Sequence, residues 1–229
     1  MATSDRLAIG DRMKGYEAPY AWTLTRRLPV ILRIDGRAFH TLTRRKYGKV
    51  WSREFTEQME FVATAVLNDI QGCNFCYCQS DEISFLITDY KTIDTDAWFG
   101  YDARKMISIS ASTAASNFTK LTGEVVAFDS RVFTIPPDDA VNYFVYRQID
   151  ATRNAIQMAG REHFSHKQLF KKSCSEIQEM LFQEKGINFD KYAIIRKRGF
   201  CLTPALDECI PIFTKNREYV EQHVNIRED

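Results

Sequence analysis

One short run, Leu28-Pro29-Val30-Ile31-Leu32-Arg33-Ile34, is apolar and β-branched almost throughout and stops at Asp35-Gly36. It reads as a buried strand over 28–34 ending in a polar turn, with a carboxylate at the strand's end. Such a strand needs neighbours. Cys73 to Gln79 and Ile83 to Thr88 are two further runs rich in aromatic and β-branched residues, and the polar triplet Ser80-Asp81-Glu82 between them makes the pair a hairpin. Between the first strand and this hairpin, from Ser52 to Ile70, the residues Phe55, Met59, Val62, Ala63, Val66, Leu67 and Ile70 recur at steps of three and four. That spacing predicts an amphipathic helix with Ser52 as its N-cap.

A second helical stretch runs from about Ala97 to Phe118, its second half rich in Ala and Ser, and Glu124 to Ile135 returns to strand composition before Pro136-Pro137. The order is therefore β-α-β-β-α-β. This is the ferredoxin-like order of an α+β core, in which an antiparallel sheet carries helices on one face. Residues 1–137 form this core. Residues 138–229 read as a helical extension packed on it, with helices over Asp138–Met158 and Ser165 to about Glu184 and a strand at Tyr192-Ala193-Ile194-Ile195. The end, from Lys215 to Asp229, is polar and reads as mobile.

The chain of 229 residues is long enough to bury a sizeable core, and with 45% hydrophobic and 27% charged residues it is not a disordered tail. Lysine plus arginine (31) nearly balance aspartate plus glutamate (30), for a net charge of +1, so any site for a polyanion must be local. No apolar run approaches the roughly 20 residues that span a bilayer, which argues against a membrane partner. The first residues lack the basic and apolar regions of a signal peptide, and six cysteines do not make a disulfide scaffold, so the chain reads as cytoplasmic.

Two carboxylates carry the chemistry: Asp35 at the end of the first strand and Asp81 in the adjacent hairpin, with Glu82 beside it. Taken alone, Asp-Gly and Ser-Asp-Glu are ordinary turns. In neighbouring strands, however, two such carboxylates approach each other and repel unless a divalent cation sits between them. Mg²⁺ suits this sparse oxygen set, because it takes one or two protein carboxylates and completes its shell with water and substrate phosphate. Gly36-Arg37-Ala38-Phe39-His40 follows the first carboxylate as a turn able to aim backbone N–H groups at a phosphate. Lys49, after Arg44-Arg45-Lys46, can neutralise a triphosphate. Cys73-x-x-Cys76-x-Cys78 has no second ligand pair at zinc spacing and reads as buried thiols. His163 and His166 fall near a helix start, where surface or capping roles prevail.

The string Arg33-Ile34-Asp35-Gly36-Arg37-Ala38-Phe39-His40, followed by Gln79-Ser80-Asp81-Glu82-Ile83-Ser84-Phe85, resembles the two signature motifs of the tRNA(His) guanylyltransferase family. The likeness continues through Trp98-Phe99, Lys105, Asp129-Ser130-Arg131-Val132, Tyr146-Arg147-Gln148-Ile149-Asp150 and Arg196-Lys197-Arg198-Gly199. The resemblance implies a palm-like fold and an enzyme that adds nucleotides in the 3′-to-5′ direction. It implies that Asp35 and Asp81, with the carbonyl of Gly36, hold two Mg²⁺ ions, and it places Glu82 in the same catalytic motif. Arg37, Ala38, Phe39, His40, Lys49 and Ser80 would contact the nucleoside triphosphate, and Lys105 an activating nucleotide. ATP or GTP would activate the 5′-phosphate of tRNA for attack by the 3′-hydroxyl of an incoming nucleotide. A homotetramer, as a dimer of dimers, is implied as well.

The sequence departs from the family at one place. Members that guanylylate tRNA(His) carry His-Ile-Asn-Asn-Leu-Tyr-Asn after the Arg-Gln-x-Asp segment, where this chain has Thr152-Arg153-Asn154-Ala155-Ile156-Gln157-Met158. Asn154 alone is retained as a ligand contact. The departure resembles the bacterial and archaeal "like" branch, which repairs 5′-truncated tRNAs. Lys167, Lys171 and Lys172, and Arg196, Lys197 and Arg198, are the local clusters that suit RNA phosphates. Two rivals share some of these features: a nucleotidyl cyclase using the same carboxylates, and a non-catalytic RNA-binding protein on the same scaffold.

Overall fold

The computed structural model describes residues 2–48, 51–203 and 205–226, with side chains from Ile9 onward. Helix α1 (Ala2–Glu17) precedes strand β1 (Val30–Gly36), α2 (Phe39–Lys46), α3 (Arg53–Asp69), β2 (Cys73–Gln79), β3 (Glu82–Ile87), α4 (Ala103–Thr122) and β4 (Phe128–Thr134). There follow α5 (Pro137–His163), α6 (His166–Leu169), α7 (Cys174–Lys185), α8 (Ile194–Arg198), β5 (Phe200–Leu202), β6 (Leu206–Asp207) and α9 (Glu218–Val224). The sheet runs β4-β1-β3-β2-β5-β6 with antiparallel neighbours, so β1, α3, β2, β3, α4 and β4 form the expected βαββαβ core. Among the described residues no helix is long and apolar enough to cross a membrane.

The sheet is covered on both faces, not one. Val30, Leu32 and Ile34 of β1 pack with Ile83, Phe85 and Ile87 of β3 beneath α3 and α4. Ile31, Phe75, Tyr77 and Leu86, from the opposite face, pack beneath Ala140, Val141 and Phe144 of α5 and Val220 and Val224 of α9. The cause is visible in β1 and β3, whose apolar residues are continuous rather than alternating, so each strand presents hydrophobic side chains both ways. The C-terminal segment therefore supplies a second layer, and its expected mobile end holds α9 instead, with Tyr90 Oη donating to Val224 O at 2.9 Å. Residues 227–229 lie outside the described residues.

Other expectations shift for local reasons. β1 extends through Gly36 because it pairs with β3 as far as Asp35 and with β4 as far as Gly36, leaving Asp35 inside the strand opposite Glu82 and Asp129. The basic run 44–46 is the last turn of α2, a favourable place for cations. α4 starts at Ala103 rather than 97, because Phe99, Gly100 and Tyr101 have positive φ and Asp102 caps the helix by accepting from the N–H groups of Arg104 and Lys105. The single helix expected over 165–184 is two, because Ser165 with Gln168 and Ser173 with Glu176 each close a capping box. Residues 192–195 are not a strand. Ile194 opens helix α8, and Gly199, at φ +78°, ends it and releases Phe200–Leu202 to pair with β2. A Cβ at Gly199 would lie 2.2 Å from the backbone oxygen of Cys78, so this crossing requires glycine.

Gly36 is as constrained. A Cβ there would lie 2.3 Å from Phe39 Cδ2, and the Phe39 ring is walled in by Phe55, Phe118 and Phe128 at centroid distances of 6.1, 5.2 and 5.0 Å. Gly36→Ala is expected to cost about 1–3 kcal/mol by overpacking, read as a Tm lower by roughly 2–4 °C per kcal/mol at this chain length. An unchanged Tm would mean that the Phe39 cluster yields freely.

Candidate active site

The end of β1 and the β2–β3 hairpin are locked together. Gly36 N–H donates to Asp81 O at 3.1 Å across the antiparallel pair, and Ser80, at φ 51°, turns the chain and donates its hydroxyl to Asp81 Oδ1 at 3.1 Å. Asp35 and Asp81 thus project from one rigid unit. Burial, and then the negative charge of Asp35, push the Asp81 carboxyl up to about 6 from its ordinary 3.8. The repulsion marks a site built for positive charge. Among the described residues no three Asp, Glu, His or Cys side chains form a closed metal cage. Two carboxylates beside a glycine main chain instead suit a hard cation that takes its remaining ligands from water and phosphate, and the residues present fit Mg²⁺ on that ground.

Glu82, next in the chain and paired with Asp35 across the strands, lines the same site but is held by another partner. Both its oxygens are taken by Arg147 of α5, at 2.6 Å to Nε and 2.5 Å to Nη2, and Arg147 Nη2 reaches Asp150 Oδ2 at 3.2 Å. Asp150 also accepts from Arg153 at 2.6 Å and from Asn154 Nδ2 at 3.4 Å. Arg147 and Glu82 are both buried. Arg147 and Asp150 belong to the Arg-Gln-x-Asp segment, but nothing in the linear pattern tied Arg147 to Glu82.

A cleft of about 1360 Å³ opens over the carboxylates. Asp35, Gly36, Ala38, Phe39, His40, Ser80, Asp81, Glu82 and Asn154 line it, so most of the residues expected around a nucleotide are brought together. Lys171, Lys172, Arg196, Lys197 and Arg198 line it too, joined by Arg44, Arg161 and His166, which had not been singled out as ligands. Arg37, Lys105 and Lys167 do not line it: Arg37 gives its N–H to Ala127 O at 3.0 Å, and Lys105 and Lys167 are exposed on α4 and α6. Lys49 lies outside the described residues.

The cations on the wall are not equivalent. Arg196 holds both oxygens of Glu162, at 2.6 and 2.7 Å, and lies 3.9 Å from the centroid of the Tyr192 ring. Glu162 also accepts from Trp51 N–H at 3.3 Å, so Arg196 fastens two walls of the cleft together. Lys197 donates to Asp190 O at 2.5 Å and Lys172 pairs with Glu176 at 2.9 Å. Cys76 and Cys78 sit in the core beneath α3 and α4, where burial drives both thiols far from ionisation. Cys73 is pushed up to about 12 for the same reason.

Because Asp81 titrates near 6 when folded and near 3.8 otherwise, the folded state binds the extra proton between these values, and stability falls as pH rises through that window. Asp81→Asn is therefore expected to be more stable than wild type at pH 8 without metal, by about 1–3 kcal/mol, with the gap closing by pH 4. Mg²⁺ should raise the wild-type Tm at pH 8 and leave the variant unmoved. Thermal melts at the two pH values check this, and a variant less stable at pH 8 would contradict the cost of ionising Asp81 in its buried place beside Asp35.

Residues 10–136 match the family model described as tRNAHis guanylyltransferase. A bacterial tRNA(His) guanylyltransferase-like protein, solved in complex with ATP, is 39% identical with a TM-score of 0.91 over 95% of this chain and 99% of that one. A bacterial protein of the same description, in complex with GTP, is 35% identical with a TM-score of 0.84 over the same shares. The tRNA(His) guanylyltransferase of Debaryomyces hansenii is 25% identical over 78% of this chain and 74% of its own length.

Proposed function

The chain belongs to the tRNAHis guanylyltransferase family, and from that premise we propose that it extends tRNA 5′ ends in the 3′-to-5′ direction under the control of a template. The observation that carries this reading is the Asp35–Asp81 pair, where burial and then the charge of Asp35 push Asp81 up to about 6, on the floor of a cleft whose walls carry Arg44, Arg161, Lys171, Lys172 and Arg198. Acid below and base around suit a substrate that is itself a polyphosphate. The bacterial relatives in complex with ATP and GTP support nucleotide use.

In this reading ATP or GTP activates the 5′-monophosphate of tRNA, and the 3′-hydroxyl of the next nucleotide displaces the activating group. Two Mg²⁺ ions held by Asp35, Asp81 and the Gly36 carbonyl would supply hydroxyl activation and charge neutralisation at the phosphorus. The protein's own groups position. Ser80 and His40 meet the triphosphate, and the first turn of α2, which has backbone N–H groups without intrahelical partners, faces it. Glu82 acts through Arg147, fixing α5 against the hairpin so that Asp81 keeps its place. No nucleophilic side chain is needed, because nucleotidyl transfer depends on alignment and charge compensation. The replacement of the His-Ile-Asn-Asn-Leu-Tyr-Asn motif by Thr152–Met158 favours repair of truncated tRNAs over dedicated guanylylation of tRNA(His). A cytoplasmic homotetramer, a dimer of dimers, completes the proposal.

The test supplies a 5′-monophosphorylated tRNA lacking its first nucleotide with ATP, all four nucleoside triphosphates and Mg²⁺, and resolves products at single-nucleotide length. Lengthening that follows the base opposite the gap, and vanishes in Asp81→Ala, is expected. Cyclic nucleotide made without RNA would instead indicate a cyclase, and RNA bound without turnover a binding protein.

A further inference from the structure

Among the described residues several Phe, Tyr and Trp side chains are exposed, but of these only Phe170 lines the cleft. It is 61% exposed. Its outward position is enforced by its neighbours. Leu169 is seated against α5 at Gly160, where a Cβ would come within 3.3 Å of Leu169 Cδ2 and 2.8 Å of Ile177 Cγ2, so α6 and α7 both dock on the bare helix backbone there. With Leu169 turned in and the two serine capping boxes fixing both flanking helices, residues 170–172 form a rigid bridge. Lys171 sits at φ 61°, a conformation that a non-glycine residue adopts at a cost, and Lys172 N–H closes the bridge on Leu169 O at 3.1 Å.

The bridge presents a flat apolar face among cations. Lys171 Nζ lies 5.4 Å from the Phe170 ring centroid, the His166 ring lies 6.3 Å away at 41°, and Lys172, paired with Glu176, is adjacent. Proteins hold single-stranded nucleic acid with this pairing of parts, an aromatic face for a base and neighbouring cations for its phosphates. We infer that Phe170, with Lys171 and His166, forms a stacking platform for one unpaired base of the tRNA end whose 5′ terminus lies over Asp35 and Asp81. The inference rests on the tRNA reading above and adds a base contact that this reading does not contain. A strand passing the rim, rather than a free mononucleotide, suits a ring this exposed, because it encloses nothing and is flanked by charge on the open side.

The test is equilibrium binding of the full-length protein to a tRNA whose unpaired 3′ segment carries 2-aminopurine at each position in turn, read as fluorescence quenching on stacking. At one position wild type should quench, and Phe170→Ala should lose that quench and bind the RNA about tenfold more weakly, within the range measured for aromatic–base stacking. Phe170→Trp should restore both, and ATP affinity should stay at the wild-type level in each. Phe170 is exposed and takes no part in the buried core, so its substitution leaves the fold intact, and a melting curve for each variant checks this. Unchanged RNA affinity and quench in Phe170→Ala would overturn the inference, as would an equal loss of ATP affinity, which would assign the ring to a mononucleotide. The outcomes separate from those of the nucleotidyl-transfer test: a quench that depends on Phe170 in a protein that extends nothing would leave the platform standing and remove the polymerase.

Discussion

The buried ion pair between Glu82 and Arg147 is the contact on which the site depends. It joins the first residue of β3 to the middle of α5, with both carboxylate oxygens satisfied and Asp150 taking the remaining reach of the guanidinium. Two charges removed from water in this way contribute little net stability over an apolar pair, but loss of either partner strands the other, at a cost of about 3–5 kcal/mol. The pair therefore specifies geometry. It sets the second helical layer against the strand that begins one residue after Asp81, and so it settles where the floor of the cleft meets its wall.

That floor is electrostatically uncomfortable. Asp81 is held beside Asp35 by the Gly36 hydrogen bond and pays for its ionisation with burial and repulsion. The rest of the cleft relieves strain instead of adding to it: Arg196 is neutralised by Glu162, and Lys172 by Glu176, while Lys171 and Arg44 stay open at the rim. A polyphosphate with its cations is the ligand class that satisfies both regions at once, since the metal compensates the carboxylates and the phosphates compensate the wall.

The core was legible where a pattern was long or locally punctuated. Ser52 caps α3 as its spacing predicted, and the Ser80-Asp81 turn falls between β2 and β3. The carboxylate pair was legible for the same reason, since strand neighbours bring their ends together. What escaped lay in long-range or marginal features. Arg147 meets Glu82 across 65 positions, and no local rule connects them. Continuous burial along β1 and β3 called for a second helical layer, but the ferredoxin-like order suggested only one. Tyr192–Ile195 has strand composition and yet contributes to the start of a helix five residues long, because the backbone crossing at Gly199 decides where pairing with β2 can begin. Basic clusters were found as clusters, but only the structure separates Arg196, which is committed to Glu162, from Lys171 and Arg44, which are exposed at the rim.

The central claim is that Asp35 and Asp81 together bind a pair of divalent cations with the nucleotide. Electron paramagnetic resonance of Mn²⁺ bound to the full-length protein with a non-hydrolysable nucleoside triphosphate addresses it most directly. A spin-coupled pair of ions in wild type, reduced to an uncoupled ion or none in Asp35→Asn and in Asp81→Asn, is the predicted result. Uncoupled Mn²⁺ in all three proteins, held equally by each, would contradict it.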